Sequence, residues 1–174
     1  MNESTDAETA DAATQPRGKG SAGADSGTEY VPSPSERVRD QVARYEATGG
    51  VEGGELGGLP VIILTTTGAR SGKTRKNPIM RVEQDGVYAA IASYAGGPEN
   101  PRWYYNLVAH PYATVQDGPQ VRRVRAREVF DEEKQGWWAV ADAGNPNYAR
   151  YRSTAGRDIP ILALEPADWA DEVG

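Results

Sequence analysis

Apolar residues recur along this chain in two rhythms, one helical and one of strands. Val38, Val42 and Tyr45 fall three or four apart after Ser33-Pro34-Ser35-Glu36. That spacing predicts an amphipathic helix with Ser33 as N-cap, Pro34 in the first helical position and Glu36 completing a capping box. Gly49 is expected to end it. Val51 to Gly58 contains four glycines and reads as a loop. The unbroken run Val61-Ile62-Ile63-Leu64 predicts a buried strand. A second strand is expected from Asn77 to Glu83, turning at Gln84-Asp85-Gly86 and returning from Val87 to Tyr94, since Asp-Gly is a strong hairpin signal. Gly96-Gly97-Pro98 breaks that strand, and Pro101 to Ala109 reads as a short helix. A second hairpin follows, Tyr112 to Gln116 and Gln120 to Val129, around Asp117-Gly118-Pro119. Helices are expected over 131–141 and 146–153, and a last strand over 159–165. Strands that arrive as antiparallel hairpins, without regular crossover helices, argue against a doubly wound parallel sheet. The fold class expected is α+β, mainly β: a small antiparallel barrel with helices packed outside.

Composition trims this picture at one end. Residues 1 to 29 contain no Val, Ile, Leu, Phe, Trp or Tyr, and six acids face only Arg17 and Lys19, a net of −4 within the chain's −6. Such a segment cannot bury enough apolar surface to offset its ordering entropy. A disordered acidic tail is therefore expected over 1–30, and a single domain over 31–174. The chain has no cysteine, which excludes a disulfide framework, a thiolate metal site and a thiol nucleophile. With no secretory h-region and no apolar run near the ~20 residues that span a bilayer, a cytoplasmic protein is expected, with peripheral contact to lipid-soluble substrates left open.

The chemistry concentrates in Thr65 to Pro78, where Arg70, Lys73, Arg75 and Lys76 crowd two glycines at the end of an apolar strand. Backbone N–H groups freed by Gly68 and Gly72 are expected to converge on an oxyanion that the cations neutralise, so the loop points to a phosphorylated ligand. Gly68 to Thr74 is not a nucleotide-binding P-loop: only three residues separate its glycines, and Pro78 directs the chain into a strand instead of the required helix. The remaining inventory is thin. His110, the only histidine, reads as a helix C-cap, and no Ser-His-Asp pattern supports a triad. Arg123, Arg125 and Arg127 share one strand face, either a solvated barrel exterior or a ligand or nucleic-acid face. Ala89, Ala90 and Ala92 leave room either for a flat ring or for a packed helix. Tyr148 and Tyr151, three apart on a helix, either project toward a pocket mouth or pack against the barrel. A polyanion loop, aromatic residues and small-residue strands are equipment for holding an organic cofactor that carries its own chemistry.

Three ordered motifs sharpen this. Thr65-Thr66-Thr67-Gly68-Ala69-Arg70-Ser71-Gly72 with Arg75 and Asn77-Pro78, then Asn100-Pro101-Arg102-Trp103-Tyr104-Tyr105-Asn106-Leu107, then Arg157-Asp158-Ile159-Pro160-Ile161, together resemble the deazaflavin-dependent nitroreductases of actinobacteria. The resemblance covers roughly Leu59 to Pro166. It implies a split β-barrel and the reduced form of coenzyme F-420, an 8-hydroxy-5-deazaflavin whose phospholactate side chain bears an oligoglutamate tail. It implies further that Arg70 and Arg75, with Thr67, Gly68, Ser71 and Gly72, take the phosphate, and that Lys73 or Lys76 reaches the glutamates. Asn77, Pro78 and Met80 would lie beside the ring, Ala92 and Ser93 along its edge, Trp103 would wall the groove, and Tyr148 and Tyr151 would border the acceptor and assist catalysis. No metal site is expected.

The activity so implied is hydride transfer to an activated alkene, a quinone or a nitroaromatic, a small-molecule acceptor and not a nucleic acid, by a monomer or homodimer. A deazaflavin carrier without turnover, and an FMN oxidoreductase on the same barrel, are the alternatives. The chain departs from the nitroreductase pattern at Asn145 and Thr154, which replace a tyrosine and a tryptophan, at Met80, which replaces a tyrosine, and at Tyr94, which replaces a lysine. The first three bear on acceptor choice, Tyr94 removes one possible cation near the cofactor, and the main loop is intact.

Overall fold

The computed structural model describes residues 29–168. Eight strands are present there: β1 (Glu55–Leu56), β2 (Leu59–Thr67), β3 (Thr74–Met80), β4 (Glu83–Gln84), β5 (Val87–Ile91), β6 (Tyr112–Asp117), β7 (Gln120–Glu128) and β8 (Ile161–Pro166). They pair antiparallel throughout in the order β1-β2-β6-β7-β8-β5-β4, and β3 also pairs with β2. Four helices accompany them: α1 (Glu36–Thr48), α2 (Arg102–Ala109), α3 (Asp131–Gly144) and α4 (Asn147–Ala155). β3 approaches β5 without pairing to it, so the curled sheet stays open on that side. This is the split barrel that the motifs implied.

Strand alternation distributes the apolar residues over three clusters. Ile62, Leu64, Tyr88, Ala90, Val115 and Leu164 point into the barrel, where Trp103 and Leu107 of α2 cover them. Ala89, Ile91, Ile161 and Ala163 point outward and are buried by Trp137 and Ala141 of α3 and by Tyr148 and Ala155 of α4. Val61 and Ile63 pack outward under Val42 and Tyr45 of α1. The run Val61 to Leu64 is thus buried on both faces, which is why it shows no alternation. Each of these large side chains contributes about 1.5–3 kcal/mol by leaving water.

Several boundaries differ from expectation for local reasons. The first helix begins at Glu36 because Ser35, not Ser33, is its N-cap: Ser35 is extended and its hydroxyl accepts from Val38 N at 3.4 Å. Gly49 ends that helix in the left-handed region, φ 61°, as expected. The glycine loop contains β1, which turns through Gly57 and Gly58 into β2. β3 starts at Thr74, three residues earlier than expected, and tolerates Pro78 because an edge strand leaves one side unpaired. β5 ends at Ile91, and Tyr94–Gly96 forms a 3-10 turn.

The arginine row is barrel exterior. Arg127 is paired to Glu133 and Glu165, both at 2.9 Å, and the exposed Arg125 lies over the Tyr112 ring. His110 is the exposed C-cap of α2, its N–H donating to Asn106 O at 2.7 Å. Ala90 and Ala92 lie under α2 inside the barrel and Ala89 under α3 and α4, so helix packing accounts for all three. The expected tail lies outside the described residues as far as residue 28. Glu29 and Tyr30 join the fold, with Tyr30 bridging to Thr74.

Candidate functional site

The cationic loop joins β2 to β3 as a tight hairpin. Gly68 N donates to Lys73 O at 2.7 Å and Gly72 N to Gly68 O at 3.0 Å. Gly72 sits at φ 69° with open space where a Cβ would project, the left-handed position that a turn of this shape assigns to glycine. Lys73 N donates to Ser71 Oγ at 3.2 Å and Ala69 N to Asn106 Oδ1 at 2.9 Å. Of the backbone N–H groups expected to converge on an anion, those of Gly68 and Gly72 themselves are taken up by the turn. What the loop presents outward are the exposed Arg70 and Ser71 side chains and their own N–H groups. Arg70 has no hydrogen-bond or ion-pair partner among the described residues. An unpaired guanidinium beside a hydroxyl at the tip of a rigid hairpin fits a phosphate monoanchor.

The other cations are engaged. Lys73 pairs with Glu29 at 3.2 Å, Lys76 with Glu46 at 2.7 Å, and Lys76 also stands 4.8 Å over the Tyr30 ring. Arg75 donates to the Val31 and Pro32 carbonyls at 3.2 and 3.5 Å. Arg75 therefore fastens the N-terminal segment in this structure, instead of standing free beside Arg70. Pairing registers also separate the β3 positions. Arg75, Asn77 and Ile79 share the face of Thr66, Leu64 and Ile62, which is the barrel side. Lys76, Pro78 and Met80 share the opposite face, where Met80 packs toward α1. Thr67 ends β2 opposite Thr74.

Asn106 is the residue that holds the loop. It is buried, donates from Nδ2 to Thr66 Oγ1 at 3.0 Å and accepts from Ala69 N. The motif around Trp103 contained it, but its role is visible only once α2 is seen lying against β2. Trp103 itself is 7% exposed and packs in the barrel core.

At the opposite end of α2 a second side chain organises the backbone. Arg157 donates to the carbonyls of Ala92, Ser93, Gly97 and Glu99 at 3.0, 3.3, 3.1 and 2.9 Å, and to Asn100 Oδ1. The segment it grips runs through three consecutive left-handed residues, Tyr94 (φ 47°), Ala95 (φ 52°) and Gly96 (φ 81°). Conformations of this kind persist only where surroundings over-determine them. Gly96 is required here for a second reason, because a Cβ would meet Thr154 Oγ1 at 2.4 Å and Tyr151 Cα at 3.1 Å. Thr154 Oγ1 donates to Gly96 O at 3.5 Å where this turn seats against α4. Ala92 is fully enclosed, its N–H given to Pro160 O and its carbonyl to Arg157. Ser93, 8% exposed, keeps a hydroxyl without a partner among the described residues.

On α4 the two tyrosines meet edge to face, centroids 5.9 Å apart, and Trp138 meets Tyr148 in the same way. Tyr148 is buried at 2% exposure, and Tyr151 is half-buried. Burial pushes the Tyr148 hydroxyl up to about 12, opposed by the nearby Asn145 amide. Asn145 is itself buried, its Oδ1 accepting from Asn147 N at 3.0 Å, while its Nδ2 has no partner in hydrogen-bonding geometry. No group of metal-ligating side chains occurs among the described residues.

The sequence model of the family described as F420H(2)-dependent quinone reductase matches residues 37–166. The chain belongs to that family. Its cofactor is the reduced deazaflavin coenzyme. A curated "F420H(2)-dependent quinone reductase" of Mycobacterium tuberculosis is 32% identical over 132 residues, 74% of this chain and 87% of the relative. A solved structure described as an "F420-H2 Dependent Reductase" is 46% identical with a TM-score of 0.58, covering 61% of this chain and 94% of that one. Another, described as a domain-swapped dimer, is 41% identical with a TM-score of 0.61, covering 72% and 92%. The family membership supports an oxidoreductase that uses the reduced deazaflavin. Among the described residues no helix is long and apolar enough to cross a membrane.

Proposed function

We propose that this protein passes hydride from reduced coenzyme F-420 to an acceptor of the quinone class, with activated alkenes and nitroaromatics as weaker substrates. The single observation that carries the reading is the partnerless guanidinium of Arg70 on a hairpin that Asn106 locks to α2. α2 is eight residues long, about 12 Å at 1.5 Å per residue. Its last turn therefore holds a phosphate grip and its first turn borders the Ser93 segment, a separation suited to a cofactor with a phosphate-bearing arm.

When bound, the reduced deazaflavin supplies a hydride. The chain's residues do the rest. Arg70 and Ser71 hold the phosphate, Asn77 and the Ser93 hydroxyl orient the ring, and Arg157 fixes the turn beneath it. Tyr151, half in solvent, donates a hydrogen bond to the acceptor oxygen on which negative charge develops. Tyr148, sealed behind it, keeps its proton and braces the Tyr151 ring. Hydride plus one proton, drawn from solvent past Tyr151, converts a quinone to its hydroquinone. Alignment to about 3–3.5 Å is the larger part of the task.

The described domain-swapped relative supports a homodimer, which light scattering on the eluting peak checks. A cytoplasmic protein meeting quinones from the aqueous side is consistent with the absence of cysteine. The test of function is anaerobic mixing of enzyme and reduced cofactor with a naphthoquinone, a cyclic enone and a nitroaromatic, following reoxidation by absorbance. Quinone-dependent reoxidation should be fastest. Tight cofactor binding with no reoxidation by any acceptor would make the protein a carrier, and preferential binding of FMN would assign it a different coenzyme.

A further inference from the structure

The N-terminal segment of the fold lies across the flank of the cationic loop. Thr74 N donates to Glu29 O at 2.9 Å and Val31 N to Thr74 O at 3.0 Å, so residues 29–31 are strapped to the first residue of β3. Arg75 fastens the next turn of the strap through the Val31 and Pro32 carbonyls. Two carboxylates come with this arrangement, Glu29 on Lys73 and Glu46 of α1 on Lys76. The two lysines are three residues apart, about 10 Å in an extended chain. They lead away from Arg70 toward a shallow cleft of about 330 Å³ lined by Tyr30, Thr65, Thr74, Lys76 and Gln116.

A phosphate held by Arg70 therefore has beside it a track of two ammonium groups, each already carrying a carboxylate of the protein itself. Both ion pairs are solvent-accessible: side-chain exposure is 48% and 66% for Lys73 and Glu29, and 22% and 35% for Lys76 and Glu46. Solvent-exposed pairs of this kind are weak enough to exchange one carboxylate for another. Building on the cofactor reading above, we propose that Glu29 and Glu46 are resident competitors for the cofactor's glutamate tail. They are specificity-determining residues that flatten the dependence of affinity on tail length. The incoming carboxylates replace Glu29 and Glu46 on the lysines, and the net number of ion pairs does not change. The wild-type protein thereby reads the phosphate and the ring, and discounts the tail.

The test is a fluorescence titration of the full chain with two forms of oxidised F-420, one bearing no glutamate and one bearing five. Wild type should bind both within about threefold. Glu29→Gln and Glu46→Gln should each tighten the five-glutamate form two- to fivefold, the range that about 0.4–1 kcal/mol sets, and leave the glutamate-free form unchanged. Lys73→Gln should abolish the gain made by Glu29→Gln. A five-to-zero ratio unmoved by either glutamine, or one that shifts equally for both forms, overturns the competitor role. Failure of wild type to bind either form would instead overturn the cofactor reading, so the two failures are distinct. Near-ultraviolet circular dichroism of each variant separates loss of fold from loss of competition.

Discussion

At the scale of single residues, position in the loop divides chemically equivalent cations. Arg70 and Arg75 both looked suited to a phosphate, yet only Arg70 lacks a protein partner among the described residues, whereas Arg75 spends its donors on Val31 and Pro32. Replacing Arg70 by Ala removes a charge-assisted hydrogen bond of about 1.5–3 kcal/mol, so cofactor affinity should fall roughly ten- to a hundredfold. Fluorescence titration measures this, and wild-type affinity in the variant would remove Arg70 from the site. The tyrosines divide in the same way. Tyr151→Phe should lower the turnover rate with little change in cofactor affinity, the pattern of a lost transition-state donor. Equal losses in kcat for Tyr148→Phe and Tyr151→Phe would contradict the assignment of the exposed hydroxyl. The loop motif named the two arginines and helical spacing the two tyrosines, but exposure and partners distinguish them.

At the scale of elements, α2 connects the two ends of the site. Asn106 ties it to the hairpin at 2.9 and 3.0 Å. Asn106→Leu would leave the Ala69 N–H and the buried Thr66 hydroxyl without their partner. A loss of about 1–3 kcal/mol is expected for a buried group so orphaned, read as a lowered denaturant midpoint together with weaker cofactor binding. If binding weakens while the midpoint stays put, Asn106 touches the ligand instead of positioning the loop. Arg157 does the corresponding work at the first turn of α2. Arg157→Ala should release the strained 94–96 turn and lower both affinity and rate. Lys can satisfy only part of that carbonyl set because it lacks the planar fork, so Arg157→Lys should recover a fraction. Most elements were legible in the hydrophobic rhythm, but the expected strand from Asn77 to Glu83 is split: β3 ends at Met80 and pairs with β2, and the Asp85-Gly86 turn joins the separate β4 to β5. Ends were less legible. Pro34 and Glu36 pointed to Ser33 as the cap, and the φ/ψ that the chain adopts on reaching α1 gives that place to Ser35. β1 was hidden because a two-residue strand has no periodicity to read.

At the scale of the whole molecule, three tyrosine hydroxyls close the packing and link stability to pH. Burial and the Asp117 carboxylate push Tyr88 up to about 12, and burial and Glu128 do the same for Tyr104. Burial alone dominates at Tyr148. Each holds its proton more tightly folded than unfolded, where the ordinary value is near 10. The folded state thus binds more protons above that pH, so stability is fully present below about pH 10 and is lost as pH rises toward 12. Urea denaturation across that window should show a falling midpoint, less steep in Tyr88→Phe, and a flat profile to pH 12 would contradict the linkage.

Periodicity and turn residues by themselves set out the antiparallel strands and a cationic loop, and the family resemblance of three ordered motifs implied the split barrel and the cofactor class. These are properties of residue type and spacing, which a linear chain displays. The three-dimensional structure decided that the hairpin takes up the N–H groups of Gly68 and Gly72, that Asn106 and Arg157 brace the two ends of α2, and that the strap occupies Lys73 and Arg75. The bracing of α2 and the strap depend on contacts between residues 37 to 65 positions apart, and such contacts exist only after the sheet has curled and brought distant segments within hydrogen-bonding reach.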